Sequence, residues 1–366
     1  MTEIDRPAPV RPGEELDVEA LASYLAERRP DLVGAIEVEQ FPSGFSNLTY
    51  SVRIERPEEE PLELVLRRPP FGSRVATAHD MEREYHILAA LAGRFATAPR
   101  PLLLCTDPEV LGAPFYLMER LTGVVLRGRI PSAAAPDAPT MRGVAGAFVD
   151  TLVELHGLDF EAAGLGDLGK PKGYVERQID GWSRRWEAAR TDEVPEMERA
   201  ARWLADSMPA ESGAALVHND FKYDNLVLDP GDLTRVVGVL DWEMATLGDP
   251  LMDLGTSLGY WVDPVDPPAL RALALSPTTL PGNPSRLELA ELYAERSGRD
   301  LDDLVFYYVY GLFKIAVIIQ QIYYRYDQGL TRDERFAGLL QGVRGLAAMA
   351  ERAVETGRVD RLFDPA

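Results

Sequence analysis

The stretch of this 366-residue chain that most constrains its fold is HNDFKYDN, residues 218–225. It lies between two short apolar segments, 216–217 and 226–228, which predict β-strands. One imidazole, one ammonium, two carboxyl and two amide side chains fall within these eight positions. Such a segment is either an Asx-rich turn that joins two strands or a loop that carries chemistry.

The spacing of the polar side chains favours the second interpretation. His218, Asp220 and Asn225 follow the pattern His-x-Asp-x-x-x-x-Asn of a kinase catalytic loop. Phosphoryl transfer needs a carboxylate beside the acceptor hydroxyl, which suits Asp220, and an oxygen ligand for the metal, which suits Asn225. Lys222 is placed to reach the transferring phosphate, and we expect His218 to hold the shape of the loop through hydrogen bonds.

A second carboxylate follows at a distance that strengthens this interpretation. Asp241 stands sixteen residues after Asn225. It directly follows the apolar segment 236–240, which predicts a buried strand. Kinase-type enzymes place their main Mg²⁺ ligand at such a position, and Mg²⁺ prefers oxygen ligands. We therefore expect Asn225 and Asp241 to be the metal ligands, with Glu243 either assisting or structural.

The order of the predicted elements indicates an α+β fold. Strands predominate in the first third of the chain and helices after Gly123, which predicts a small antiparallel-sheet lobe and a large helical lobe. The predicted strands are 35–41, 50–54, 63–67, 101–105 and 115–121, and the main predicted helices are 16–29, 78–91, 141–156, 171–190 and several after 249. We expect an N-terminal arm and helix at 1–30, of which residues 1–15 are disordered or loosely attached. A nucleotide-binding lobe should follow at 31–121. The helical lobe at 122–366 should contain the catalytic loop and the substrate-binding region.

The first third also supplies candidate nucleotide-binding residues. Ser43, Gly44 and Asn47 lie in a turn between two strands that could fold over the ATP phosphates, although the turn taken alone favours a plain hairpin. Arg67 ends the third strand, where a kinase keeps its phosphate-binding lysine, and Glu84 on the next helix is its natural ion-pair partner. Arginine for lysine is a real change of geometry, and we interpret Arg67 as a functional replacement rather than a surface arginine.

The segment 115–123 has the features of a hinge between two lobes. An apolar strand ends in the polar pair at 119–120 and is followed by Gly123. In this interpretation the backbones of Glu119 and Leu121 meet the adenine edge. The alternative is a plain buried strand followed by a turn.

Together these residues resemble the aminoglycoside phosphotransferase superfamily, and within it the kinase-like domain fused to some acyl-CoA dehydrogenases and its stand-alone bacterial relatives. The resemblance runs from about residue 35 to 260, with a weaker echo at 313–316, and its most distinctive block is VLDWEMATLGDP at 239–250. It implies a bilobal protein-kinase-like fold, ATP and Mg²⁺ as cofactors, and transfer to a hydroxyl of a small molecule. Arg67 fits the subfamily pattern, whereas Asn219 stands where the family usually has a small residue.

Three functions remain open within this fold. The subfamily resembles kinases for hydroxy acids or hydroxylated acyl-CoA, and Arg177, Arg184 and Arg185 could bind such an anionic substrate or could form a solvated helix face. An aminoglycoside phosphotransferase would need several carboxylates in one cleft, and the acidic residues form no cluster that the sequence can place. A nucleotide-binding pseudokinase usually loses one of the catalytic or metal-binding side chains, which are intact here. A protein kinase is disfavoured because Asp-Trp-Glu at 241–243 replaces Asp-Phe-Gly.

Composition excludes several partners. The formal net charge of −21 disfavours binding to nucleic acid or to anionic membranes. The single cysteine, Cys105, precludes an intrachain disulfide or a cysteine metal cluster. The apolar segment 304–319 is interrupted by Lys314 and is shorter than the ~20 residues of a spanning helix, so we expect a buried helix. These features predict a cytoplasmic protein that acts on a small molecule.

Overall fold

The computed structural model describes residues 6–41, 47–56, 59–71, 81–128, 130, 134–272, 274–331 and 333–364. The chain divides into two units. The sheet unit consists of Glu3–Val124 together with Val237–Glu243, and the helical unit contains Val125–Val236 and Met244–Ala366. Residues 6–30 of the predicted arm therefore belong with the sheet, as does the short segment Val237–Glu243 that was predicted for the helical lobe.

An antiparallel five-stranded sheet forms the sheet unit, in the order β1-β2-β3-β5-β4. Its strands are β1 (Ala35–Gln40), β2 (Leu48–Glu55), β3 (Leu62–Arg68), β4 (Pro101–Cys105) and β5 (Phe115–Glu119), and its helices are α1 (Val18–Arg28), α2 (Met81–Leu91) and α3 (Pro108–Leu111). Alternation puts Tyr50, Val52 and Ile54 on one face of β2, where they pack with Leu21 and Leu25 of α1. The predicted small antiparallel sheet is thus confirmed.

The N-terminal arm is attached to the sheet, and the prediction of a disordered or loosely attached arm is wrong for residues 6–15. Ala8 and Gln40 exchange two backbone hydrogen bonds of 2.8 Å. The Tyr50 hydroxyl donates to the Glu14 carbonyl at 2.7 Å. The reason is that β1 is an edge strand whose backbone groups can pair with any extended segment, even one without an apolar alternation of its own.

Eight helices build most of the helical unit. They are α4 (Ala138–His156), α5 (Tyr174–Ala189), α6 (Pro195–Asp206), α7 (Pro250–Tyr260), α8 (Pro268–Ala272), α9 (Arg286–Ser297), α10 (Leu304–Asp327) and α11 (Leu339–Thr356). This unit also holds the short strands β6 (Ala215–Val217), β7 (Leu226–Leu228) and β9 (Thr246–Gly248), whereas β8 (Val236–Val239) belongs to the sheet unit except for its first residue. Helix α10 is 24 residues long, more than predicted, and is long and apolar enough to cross a membrane, but 72% of its apolar window is buried inside the protein.

Helices α7 and α10 approach each other closely through their backbones. A Cβ atom at Gly255 would lie 2.0 Å from the Tyr307 carbonyl oxygen, and one at Gly311 would lie 2.0 Å from the Gly255 carbonyl oxygen. Only glycine permits this approach. As a result, Asp253 on α7 and Lys314 on α10 both reach residues 218–219.

A buried ionic cluster connects the C-terminal segment to the rest of the helical unit. Arg286 is fully buried and binds Asp266 through two hydrogen bonds of 2.6 and 2.7 Å. It also donates to the Val359 carbonyl at 2.6 Å and lies 3.3 Å from Asp263. Burial raises the pKa of Asp263 to about 7, with Arg286 opposing the shift and the carboxylates of Asp266 and Asp360 adding to it.

This cluster predicts a pH-dependent stability. The folded protein keeps a proton on Asp263 up to about pH 7, whereas an unfolded chain releases it near pH 4. The stabilisation is therefore lost as pH rises through 7, and we expect the free energy of unfolding to fall by about 1 kcal/mol between pH 6 and 8. Urea unfolding at both pH values measures it. Asp263→Asn should remove the slope, and the exposed control Asp206→Asn should keep it; a retained slope in Asp263→Asn would contradict the assignment.

Candidate active site

The side chain of Asp220 is held by neighbours on the same loop. Its Oδ2 accepts hydrogen bonds from Lys222 Nζ at 2.6 Å and from Asn225 Nδ2 at 3.0 Å. The same amide nitrogen also donates to the Asp220 carbonyl at 2.9 Å. Because residues 223–225 form a single 3₁₀ turn, Asn225 folds back onto Asp220. The predicted base, lysine and asparagine therefore form one hydrogen-bonded cluster.

Tyr260, at the end of α7, joins this cluster without having been predicted. Its phenol lies within electrostatic range of the Asp220 carboxylate, and Lys222 Nζ lies 4.7 Å from the centre of its ring. Burial opposes the charge on Lys222, but Tyr260, Asp220 and Asp224 together raise the pKa of Lys222. Burial, followed by Asp220, raises the pKa of Tyr260 well above its usual value. At neutral pH the carboxylate therefore faces an ammonium and a neutral phenol.

Asp253 on α7 accepts hydrogen bonds from the backbone of the loop. Its two oxygens accept from the N–H groups of His218 at 2.6 Å and Asn219 at 2.7 Å, and His156 Nε2 lies 3.2 Å away. Burial alone would raise the pKa of this carboxyl, but His156, His218 and Lys314 lower it. Asp253 thus remains a carboxylate in a fully buried position.

His218 bonds within the loop. Its Nδ1 accepts from the Asp220 N–H at 3.3 Å, and its ring lies edge-to-face on Phe221, with 5.8 Å between ring centres. The imidazole is fully buried. This placement gives it contact with the backbone of the loop at Asp220.

The sheet unit brings together the other group of predicted residues. Arg67 forms a buried ion pair with Glu84, and its second nitrogen lies 3.1 Å from Asp241 Oδ1 and 3.4 Å from Glu243 Oε2. Asn47 Nδ2 donates to the same oxygen of Glu243 at 2.9 Å. The guanidinium of Arg67 therefore contacts three carboxylates. Glu243, whose role the sequence left open, contacts two of the residues predicted to bind nucleotide.

The charges of this group depend on one another. Burial raises the pKa of Glu84, and Arg67 opposes the rise. Burial disfavours the cation on Arg67, yet Glu84 and the neighbouring acidic groups raise its pKa well above the usual value. Arg67 thus takes the place predicted for it but is engaged with carboxylates. Its buried Nε–H, by contrast, donates to no group among the described residues.

Asn225 and Asp241 each carry an oxygen atom of the kind that Mg²⁺ prefers as a ligand. Asn225 uses its amide nitrogen for Asp220, so its amide oxygen is the atom left to act as a ligand. Asp241 adopts a left-handed backbone conformation with φ 68°, and its side chain is 36% exposed. Mg²⁺ often takes only one or two protein ligands and completes its shell with phosphates and water.

The remaining nucleotide-binding predictions have mixed outcomes. Ser43 and Gly44 lie outside the described residues. The N–H of Glu119 donates to the Arg100 carbonyl at 2.9 Å, so that donor is already used within the sheet unit. The N–H of Leu121 donates to no residue that the structure describes. Contact of either backbone with adenine stays a prediction.

Three residues of the site were missed, and two of them had a signal in the sequence. Asp253 is a single acid within the apolar segment 250–254, and Lys314 is a single base within 304–319. An isolated charge in an apolar helix has to be paired when it is buried. Tyr260 carried no comparable signal, because an aromatic residue at a helix end is common in any core.

Comparison with known proteins identifies the family of this chain. The pattern of the phosphotransferase enzyme family matches residues 37–289. Acyl-CoA dehydrogenase family member 10 of Mus musculus is 34% identical over 348 residues, which cover 94% of this chain but 31% of that protein. The chain thus spans about a third of the length of this relative.

Solved structures show the same fold. A Ralstonia eutropha protein classed with the aminoglycoside phosphotransferases is 30% identical, with a TM-score of 0.78 over 93% of this chain and 99% of that one. A choline kinase from Cryptosporidium parvum shares the fold at 13% identity, with a TM-score of 0.60 over 95% of this chain and 100% of that one. The chain belongs to the phosphotransferase enzyme family, and it has the α+β protein-kinase-like fold that its sequence predicts.

Proposed function

We propose that this chain is an ATP- and Mg²⁺-dependent kinase that phosphorylates a hydroxyl group of a small hydroxy acid or hydroxyacyl-CoA. The observation that carries the proposal is the carboxylate of Asp220, held between the ammonium of Lys222 and the amide of Asn225. Bound Mg²⁺–ATP would supply the phosphoryl group. Asp220 would accept the proton that the acceptor hydroxyl loses, and Lys222 would offset negative charge at the transferring group.

The charges near Asp220 support an anionic acceptor. Lys222 and Arg185 both lie within electrostatic range of Lys314, in a protein of net charge −21. Arg185 is exposed, stacks on Trp182 at 4.5 Å, and makes no ion pair with a described residue. Arg177 instead donates to the carbonyls of Lys170 and Lys172. Of the predicted arginine cluster, Arg185 is therefore the best candidate to bind an anionic group.

One of the comparisons also supports an acyl substrate. A relative that spans nearly this whole chain is named an acyl-CoA dehydrogenase family member, which supports acyl-CoA chemistry in the same context. A polycationic antibiotic would be held by several carboxylates, whereas the three carboxylates around Arg67 already share its guanidinium.

Phosphate transfer to defined acceptors tests the proposal. We expect ³¹P NMR and ADP release to show ATP- and Mg²⁺-dependent phosphorylation of a 4-hydroxy acid or its CoA ester, with no product from aminoglycosides. Phosphorylation of an aminoglycoside alone would overturn the acceptor class. Binding of ATP with no transfer to any hydroxylated compound would indicate the pseudokinase alternative.

Arg185→Ala tests the anionic acceptor directly. We expect the KM for a hydroxyacyl-CoA to rise about tenfold, because one charge-assisted contact is lost, while kcat and the KM for ATP stay within twofold. Steady-state kinetics with each substrate varied in turn measure this. Arg184→Ala, the exposed neighbour on the same helix, is the matched control, and an equal effect of both variants would argue against a specific contact.

A further inference from the structure

Lys314 is a buried cation aimed at the residue before the catalytic carboxylate. It lies in the most apolar helix, α10, and is 1% exposed. Its Nζ donates to the carbonyl oxygen of Asn219 at 2.6 Å and lies 3.2 Å from Asn219 Oδ1. Burying an ammonium is costly unless it is paired, so a side chain placed here has to be explained by what it binds.

Asn219 has an unusual backbone conformation that needs support. Its φ is 66°, in the left-handed region, which asparagine adopts more readily than most residues but still less readily than the right-handed region. Every polar group of Asn219 is engaged: its N–H by Asp253, its carbonyl by Lys314, and its side chain by Tyr174 at 3.0 Å and the Met244 carbonyl at 3.2 Å. The next peptide unit leads directly to Asp220. A change of φ at position 219 would therefore swing the Asp220 carboxylate away from Lys222 and Asn225.

We infer that Lys314 is a positioning residue for phosphoryl transfer, whose ammonium keeps Asn219 in the left-handed conformation and thereby sets the direction of the Asp220 carboxylate. This inference rests on the proposed function, because only a phosphotransferase needs that direction. It also explains why position 219 carries an asparagine, whose amide oxygen gives the ammonium a second acceptor.

The charges around Lys314 make its role pH-dependent. Burial lowers the pKa of Lys314 to about 8, opposed by the carboxylates of Asp253 and Asp220 and reinforced by Lys222 and Arg185. The phenols of Tyr174 and Tyr310 also lie in this region, and burial raises the pKa of both. The pKa values of Lys222 and Tyr260 are likewise raised. Among these groups, Lys314 is the one that loses its proton between about pH 7 and 9.

The first test is the pH dependence of turnover. In the wild-type chain kcat should fall through an alkaline limb near pH 8 while the Kd for ATP stays constant. Lys314→Arg keeps the charge at all these pH values, and we expect its limb to move up by at least about one pH unit. A wild-type kcat that is flat to pH 9.5, or an unmoved limb in Lys314→Arg, would overturn the inference.

The second test adds a measurement on the loop, amide exchange, that needs no acceptor substrate. We expect Lys314→Met to lower kcat about 30-fold or more with little change in the KM for ATP, and to speed amide exchange of residues 218–225 about tenfold. Gln320→Met is the matched control, since Gln320 is equally buried on α10 but donates to Ala189 and Thr191. Unchanged loop exchange in Lys314→Met would refute the positioning role. If exchange is faster in Lys314→Met but the wild-type chain transfers no phosphate, the proposed function is wrong, while the effect of Lys314 on the loop stands.

Discussion

Replacement of Asp220 by alanine should lower kcat about 10³-fold while the Kd for ATP changes less than threefold. A positioned general base typically contributes about 10²–10⁴ to a rate, and Asp220 is the carboxylate that the loop directs with two donors. ATP is expected to contact Lys222 and the metal ligands rather than this carboxylate, so its binding should persist. Calorimetric titration with Mg²⁺–ATP and steady-state kinetics on the same preparation measure both quantities.

Asp220→Asn separates the chemistry from the folding of the loop. An asparagine oxygen can still accept from Lys222, so the cluster should keep its shape while the base is lost. We expect this variant to be as inactive as Asp220→Ala but to melt closer to the wild type. Asp229→Asn, in the turn after β7 and paired with Arg235, should retain wild-type turnover. Normal turnover in either Asp220 variant would show that the base lies elsewhere.

Local patterns in the sequence account for much of the fold and for the separate parts of the site. The alternation in β2 and the His-x-Asp-x-x-x-x-Asn spacing act over fewer than ten residues, so they can be recognised without knowing the tertiary structure. Helix α6 also has local signals, with Pro195 at its first turn and acids at Glu196 and Glu198, and it could have been predicted from them.

Long-range contacts could not be predicted in the same way. Asn47 meets Glu243 across 196 positions, and Lys314 meets Asn219 across 95. No period or spacing encodes such pairs, because they depend on how whole elements pack. The left-handed conformations of Asn219 and Asp241 are similar: Asn and Asp tolerate positive φ better than most residues, but their presence does not require it. The support for each conformation comes from distant side chains.

Arg67→Met is the second substitution with a large expected effect, because it removes the single cation shared by three carboxylates. Breaking a buried ion pair by removing one partner typically costs about 3–5 kcal/mol, and here Glu84 would be left buried and uncompensated. The Kd for Mg²⁺–ATP should also rise at least tenfold, since Asp241 loses the group that holds it at 3.1 Å. Urea unfolding and calorimetric titration measure the two effects.

The double variant Arg67→Met/Glu84→Met distinguishes stability from binding. Replacing a buried pair by apolar side chains is often neutral or stabilising, so most of the lost stability should return. Asp241 and Glu243 would still lack their cation, and the affinity for Mg²⁺–ATP should remain low. Arg68→Met is the matched control: Arg68 is also buried but donates to the carbonyls of Pro69 and Leu111, so its loss should lower stability and leave ATP affinity unchanged. If the double variant regained wild-type affinity, Arg67 would act only as the partner of Glu84, and Asp241 would be oriented by other contacts.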